Sequence, residues 1–379
     1  MMDHLVRVSG ALALVACCGA VQAAPLFSGG VWMNYRYITD SDFQGVGVAD
    51  DFDRETGGTL GDPALILYAG DQGQYGSTRF AAEVRFGKGS FTDPDNNGTG
   101  DYLAFKQAWV GRELDNGMRV RVGKMAVPFG YKTVNFWPGD LLQGGYGDQM
   151  DVGLSLDGEQ ATLRYALAYF HADDFGETST DTMDDNGHWG QSACNSTAAG
   201  DCDLAYRKMQ TLVGNLDWQF IEGHTVGLSV QSGRLQDLAA TEDQAPTAVP
   251  RSARLSGRHH ALDLHYAYEA GPWLLQARHV EVQRELPGRS EKVRNHRQSL
   301  STGYRHNDWF WYLDLTSAAT RTRGNDTGRV YAWAPGVRYD YGPGWVYLEY
   351  LWSDGDIGRD GDIYAADFRA LYATVDFYF

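Results

Sequence analysis

The chain has 379 residues, of which 13% are aromatic and 46 are glycine, and this aromatic content is too high for a disordered protein. Its formal net charge of −17 excludes a typical nucleic-acid binder, because phosphate backbones are bound by basic surfaces. No run of about 18 apolar residues occurs beyond the N-terminus, which excludes a protein that spans a membrane with helices.

Residues 1–24 have the pattern of an export signal. Arg7 supplies a positive charge, residues 11–21 form a short apolar segment, and small residues suitable for cleavage follow. The Leu-Val-Ala-Cys sequence ending at Cys17 resembles a lipoprotein processing box, so lipidation at Cys17 is the alternative. We expect residues 25–379 to form one domain.

Apolar and polar residues alternate along most of the remaining chain. In residues 162–170, for example, Leu163, Tyr165, Leu167 and Tyr169 share one face of an extended segment. Successive strand side chains point to opposite faces, so each such segment is predicted to be a strand with one apolar and one polar face. Sixteen segments follow this pattern, at about residues 31–39, 62–70, 78–88, 102–112, 117–126, 149–157, 160–170, 205–220, 224–234, 257–269, 273–284, 296–306, 308–319, 328–341, 345–353 and 367–379.

The connections between these segments alternate between short and long. The short ones are rich in Gly, Asn and Pro, which is typical of tight turns. Bacterial outer-membrane barrels have an even number of strands, short periplasmic turns and long outer loops. We therefore predict an all-β fold: a transmembrane antiparallel β-barrel of 16 strands with both termini in the periplasm. A soluble β-sandwich would also alternate, but would not usually sustain segments of this length.

Two further features agree with a barrel in the outer membrane. The last predicted strand ends at Phe379, and its apolar residues occupy alternate positions on one face. This pattern resembles the C-terminal signature of Gram-negative outer-membrane proteins. Aromatic residues near predicted strand starts are expected to form a girdle at the membrane interface. These residues are Trp273, Trp309, Trp311, Trp345 and Tyr347.

The segment that leaves the fifth strand resembles a known family. Residues 122–130 contain Gly123 and Gly130 around a proline in the pattern Gly-x-x-x-x-Pro-x-Gly, which is similar to the phosphate-selective porin O/P family and its wider porin relatives. The resemblance covers about 40 residues and the overall strand pattern. It implies a water-filled channel for small hydrophilic solutes and ions, a homotrimer, and a third loop, residues 127–148, that folds inward and narrows the pore.

A narrow pore filters solutes by charge because its low-dielectric walls focus the field. The resemblance places Lys132, Asp140 and Asp148 in the constriction loop. Side chains on the polar face of each predicted strand, opposite the apolar face, should line the channel wall. The basic ones are Arg36, Arg85, Arg119, Arg121, Arg164 and Arg338. The acidic residues on the same polar face are Glu83, Asp151, Asp263, Asp314 and Glu349. Each of these can instead be an ordinary hydrated wall charge.

The mixed signs depart from the strongly basic pathway that anion specificity in this family implies. We therefore expect a general diffusion channel, with a channel selective for phosphate or another small solute as the alternative. Acidic residues are concentrated in the predicted outer loops, beside outer-membrane lipid and lipopolysaccharide.

The remaining motifs concern loops. Cys194 and Cys202 are an even pair in an exported chain, which favours a disulfide over free thiols or a metal pair. Residues 93–98 match the start of a calcium-binding loop, with Asp101 at the ninth place, but Ala104 stands where the bidentate Glu belongs, so an ordinary turn is expected. No hydrolase or metalloprotease motif occurs, and we expect no enzymatic activity, cofactor or metal.

Overall fold

The computed structural model describes residues 26–41, 49–61, 63–71, 76–86, 103–136, 142–172, 206–237, 255–287, 289–358 and 360–379. Several predictions lie outside these residues. They concern the export signal and Cys17, the calcium-like segment from Asp93 to Asp101, Asp140, and the pair Cys194 and Cys202.

The described residues form one continuous antiparallel sheet and one short helix. The helix is α1 (Ala49–Thr56). The first strands are β1 (Leu26–Ser41), β2 (Thr59–Leu60), β3 (Ala64–Gly70), β4 (Thr78–Phe86), β5 (Leu103–Glu113), β6 (Arg119–Ala126), β7 (Met150–Gln160) and β8 (Leu163–Ala172). The others are β9 (Tyr206–Ile221), β10 (His224–Asp237), β11 (Leu255–Ala270), β12 (Trp273–Glu285), β13 (Lys292–His306), β14 (Trp309–Thr320), β15 (Arg329–Asp340), β16 (Trp345–Ile357) and β17 (Ile363–Tyr378).

The sheet closes on itself through β1. This strand pairs with β17 on one edge, and on the other edge it pairs with both β2 and β3. Pro63 separates β2 from β3, and a proline has no N–H to contribute to a ladder, so these two segments form one interrupted barrel strand. The prediction of a closed 16-stranded antiparallel barrel is confirmed.

Side chains alternate between the two faces of the barrel as predicted. On β8, Leu167 points outward and is 58% exposed, whereas its neighbour Ala168 points inward and is 2% exposed. Buried polar side chains, such as Ser229, Asp263 and Glu349, face the lumen. Polar side chains inside and apolar side chains outside are the arrangement that water in the lumen and lipid outside require.

The predicted aromatic girdle is only partly correct. Trp273, Trp309 and Trp311 point outward and are exposed. Trp345 and Tyr347 point into the lumen instead. Side chains alternate along β16, and Val346, which lies between them, occupies the outer face. Tyr347 is 8% exposed and packs among other aromatic rings.

Helix α1 lies against the loop end of β1. Its Asp53 accepts a hydrogen bond from the Ile38 amide at 2.9 Å and one from the Thr59 hydroxyl at 2.6 Å, and it lies 3.6 Å from the Arg36 guanidinium. One buried carboxylate therefore joins α1, β1 and β2. Among the described residues, no helix is long and apolar enough to cross a membrane.

Candidate pore constriction

Two segments of the connection between β6 and β7 lie inside the barrel, as the fold prediction required. Its described parts are residues 127–136 and 142–149, and Val127, Phe129, Leu142 and Tyr146 are all at most 5% exposed. These apolar side chains are buried in a lumen that is otherwise largely polar, because the loop packs against the wall there.

Two glycines allow the loop to turn sharply within the lumen. Gly130 and Gly147 have φ angles of 63° and 105°, which L side chains rarely adopt. A Cβ at Gly147 would lie 2.2 Å from the Tyr131 carbonyl oxygen, so the two arms of the loop approach too closely for any other residue. Gly130 is the last glycine of the Gly-x-x-x-x-Pro-x-Gly motif, which gives that motif a structural reason.

Arg278 of β12 is the main cationic anchor of the loop. Its guanidinium donates hydrogen bonds to the carbonyl oxygens of Tyr131, Tyr146 and Phe129. Its other side is held by the buried carboxylate of Asp263 on β11. A single buried arginine thus binds both described arms of the loop and fixes them to the opposite wall.

Two carboxylates on the far wall bind amides of the loop. Asp314 of β14 accepts hydrogen bonds from the Asn135 amide at 2.7 Å and the Val134 amide at 3.3 Å. Glu349 of β16 accepts one from the Phe136 amide at 2.5 Å. Hydrogen bonds to ionised groups are stronger than neutral ones, so these contacts hold the turn at residues 134–136 firmly.

Further contacts complete the attachment. The Gly130 amide donates to the Ser229 hydroxyl on β10 at 2.9 Å, and Arg297 of β13 donates to the Gln143 carbonyl at 2.8 Å. The loop therefore starts at β6, crosses the lumen to the strands from β10 to β16, and returns to β7. Such a crossing reduces the open cross-section of the barrel.

Aromatic packing closes one side of the crossing. The Phe136 ring stacks on Tyr347 with centroids 4.6 Å apart and meets Trp32 of β1 edge-on at 5.9 Å. On the other side, Tyr131 lies edge-on to His265 at 5.7 Å. Burial raises the pKa of the Tyr131 hydroxyl, so this side chain stays neutral at physiological pH.

Two of the three predicted loop charges, Lys132 and Asp148, lie together. Lys132 contacts Asp148 at 2.6 Å, and Lys106 of β5 lies 3.9 Å from the same carboxylate. Arg85 is paired with Glu83 at 2.8 Å, and its guanidinium lies over the Trp32 ring. The Trp32 ring in turn contacts Phe136 of the loop. Through Trp32, Arg85 is therefore a predicted wall arginine that lies close to the constriction.

Of the other predicted arginines, Arg36 lies beside Asp53 of α1 near the loop end of β1, and the remaining four face the lumen toward the short-turn end. Arg119 begins β6 and Arg164 is the second residue of β8, while Arg338 lies two residues before the end of β15. Arg121 pairs with Asp157 at 2.9 Å, one strand away. The alternation of side chains along each strand thus gives the face of the barrel that these charges occupy but not their depth in the channel, and their role in selectivity stays a prediction.

Sequence reasoning missed the residues that hold the loop. Arg278 and Arg297 were not singled out, although their parity on β12 and β13 marks them as lumen-facing. Asp314 and Glu349 were identified as wall residues, but not as acceptors for loop amides. The loop partners of these four residues are backbone groups more than 130 residues away in the chain, and the side-chain pattern carries no signal for such contacts.

The family model described as phosphate-selective porin O and P matches residues 74–342. The chain belongs to this porin family. Solved structures agree with the fold. OmpT of Vibrio cholerae has a TM-score of 0.61 and 11% identity over 96% of this chain and 99% of its own. The outer membrane channel DcaP of Acinetobacter baumannii has a TM-score of 0.58 and 14% identity over 96% and 100%. An anion-selective porin from Comamonas acidovorans has a TM-score of 0.55 and 11% identity over 94% and 100%.

These identities support the fold alone, and no curated protein matches the chain. Membership of the porin family, together with the barrel, identifies the protein as an integral outer-membrane channel for small solutes. The predictions of family, fold and channel function are therefore confirmed.

Proposed function

We propose that this porin is a general channel for passive diffusion of small hydrophilic solutes and ions, narrowed by residues 127–149. The supporting observation is that a loop crosses the lumen and is bonded to the opposite wall through Arg278, Asp314 and Glu349. A fixed constriction sets a size limit without requiring a specific solute site.

The charges near the constriction favour weak selectivity. Lys132 with Asp148 and Arg85 with Glu83 form close pairs of opposite sign. Farther toward the turns, Arg338 lies 2.7 Å from Asp340. Opposite charges this close largely cancel beyond a few ångströms, so the field across the pore is smaller than a row of like charges would give.

A second candidate is an anion-selective channel. Arg284, Arg297 and Lys208 are buried on the lumen side, each at most 3% exposed. Arg297 and Lys208 lie over the same Tyr146 ring, at 5.6 Å and 5.2 Å from its centroid. This concentration of positive charge beside the loop would attract small anions, including phosphate, as the family description suggests.

Planar-bilayer recording distinguishes the two candidates. Across a tenfold KCl gradient, a general channel gives a reversal potential near zero and an ohmic conductance that does not saturate. A strictly anion-selective channel gives a reversal potential close to about 59 mV in magnitude, with the sign for chloride. Block of the chloride current by micromolar phosphate would favour the second candidate and contradict the first.

We further propose a homotrimer with the termini and short turns in the periplasm. The strand ends that the seven short connections join lie at one end of the barrel, together with Leu26 and Phe379, and the strand ends that the long connections join lie at the other. This is the polarity of bacterial outer-membrane barrels. Protease cleavage of the long loops in intact cells supports this orientation, and cleavage only after permeabilisation contradicts it. The mass of the detergent-solubilised particle tests the subunit number.

A further inference from the structure

A second connection, the one between β16 and β17, also turns inward. Residues 358–362, the β16–β17 turn, join these strands, and all but residue 359 are described. The Gly358 amide donates to the Asp362 carbonyl at 2.9 Å, and Gly361 has a φ of 75°, so the chain reverses tightly. The Asp362 side chain is 1% exposed, whereas acidic residues of a solvated outer loop stay in contact with water.

The backbone of this turn lies far from its own strands. The Gly361 carbonyl accepts hydrogen bonds from two lumen-facing residues of β13, from Asn295 at 2.8 Å and from Arg297 at 3.3 Å. A Cβ on Gly361 would overlap the Arg284 guanidinium of β12. Neighbouring strands are about 4.8 Å apart, so β12 lies about 19 Å along the wall from β16. The turn therefore reaches over the lumen side of β13–β15.

Side chains hold the turn in that position. The Asp362 carboxylate accepts hydrogen bonds from the Thr320 hydroxyl of β14 at 2.9 Å and from the Asn325 amide at 2.7 Å. The two isoleucines that flank the turn are at most 3% exposed, and they belong to a buried cluster inside the barrel that also contains Leu142 of the constriction loop. Polar bonds and dry packing thus fix the β16–β17 turn within the lumen.

The turn and the constriction loop lie at different depths. On β12, the turn meets Arg284, whereas the constriction loop is bound by Arg278, six residues toward the short-turn end. With a rise of about 3.4 Å per residue and a strand tilt of about 40°, these levels are about 16 Å apart along the channel. Arg297 lies between them, because it donates to the Gln143 carbonyl of the loop at 2.8 Å as well as to Gly361.

We propose that the β16–β17 turn is a second size filter, in series with the constriction loop and nearer the long-connection end of the barrel. Its described acidic side chains, Asp360 and Asp362, accept hydrogen bonds from Tyr364 and Thr320, so the turn is held as a compact obstacle and excludes solutes by size. The inference rests on the proposed diffusion function, since a size filter acts only on solutes that diffuse through the channel.

The test shortens the turn without breaking the barrel. Ile357 and Ile363 face each other as a cross-strand pair, so a two-residue Asn-Gly turn in place of residues 358–362 can join the strands. Two similar barriers in series predict that removing one raises the KCl conductance in planar bilayers by about twofold. Liposome swelling should show trisaccharides entering faster relative to monosaccharides. The matched control, Asp354→Asn, removes a charge from the outer face of β16 and should leave both measurements unchanged.

A second variant keeps the chain length. Asn295→Ala with Thr320→Val removes two wall groups that bind the turn, while Arg297 keeps its bond to the constriction loop. We expect this double variant to change conductance and sugar entry in the same direction as the shortened turn, and by less. If both variants have the conductance and solute limit of the wild type, the β16–β17 turn is not a filter and the proposal is overturned.

Resistances in series add, which separates a second filter from a brace for the first. Shortening the turn should lower the channel resistance by the same amount in the wild type and in Asp314→Ala, which releases the constriction loop from β14. A decrease confined to one of these backgrounds overturns the proposal, because the turn would then act only through the loop. The conductance ratios need only an open channel, whereas the reversal potential of the wild type tests general diffusion, so the two proposals fail or stand separately.

Discussion

The attachment of the loop to the far wall can be tested by removing one carboxylate. Asp314→Ala deletes the acceptor for the Asn135 and Val134 amides, while the rest of the loop keeps its contacts with Arg278. The Asp314 side chain is 2% exposed and lies on the lumen side of β14. We therefore expect the barrel to assemble and the segment at residues 133–136 to come away from the wall.

The size of the effect follows from the bonds lost. Hydrogen bonds to charged groups contribute about 1.5–3 kcal/mol each, and the released amides recover part of this by binding water. A net loss of about 3 kcal/mol shifts the ratio of attached to detached loop by about 100-fold. We expect a larger single-channel conductance, or frequent steps to a larger conductance, together with permeation of bulkier neutral solutes.

Planar-bilayer recording and liposome swelling measure these effects. The matched control is Asp157→Ala, which also removes a lumen-facing carboxylate, but one that binds Arg121 on the wall. Loss of negative charge alone would alter both variants in the same way. If Asp314→Ala has the same conductance, step frequency and solute limit as the wild type, then these bonds do not fix the constriction.

Three further predictions concern folding. Arg278→Met leaves the fully buried Asp263 without its arginine and should lower the free energy of unfolding by about 3–5 kcal/mol. The urea unfolding midpoint in micelles should fall accordingly, and a midpoint like that of the wild type would contradict the anchor role of Arg278. Gly123 has a φ of 131°, and a Cβ there would lie 2.2 Å from a β5 carbonyl oxygen, so Gly123→Ala should prevent assembly, measured as heat-modifiable migration on a gel. The control Gly70→Ala should assemble normally, because nothing lies within 4 Å of its Cβ position. Cys194→Ser should leave assembly and conductance nearly unchanged, and failure to assemble would count against its proposed place in an outer-loop disulfide.

Local pattern was sufficient for the barrel. The alternation in residues 162–170 gave the two faces of β8, and Pro63 lies between β2 and β3, the two segments of one barrel strand. These predictions succeed because lipid and water select side chains residue by residue, so the information is contained in each strand.

The constriction required the tertiary structure. Phe136 and Glu349 are 213 positions apart, and the carboxylate binds a backbone amide, which has the same chemistry at almost every position. Trp345 and Tyr347 resembled interfacial girdle residues, yet they face the lumen, where Tyr347 packs against Phe136. The sequence by itself predicted a hollow barrel and, through the resemblance at residues 122–130, an inward third loop. Only the closed barrel decided which wall the loop reaches, because closure alone brings distant strands opposite one another across the pore.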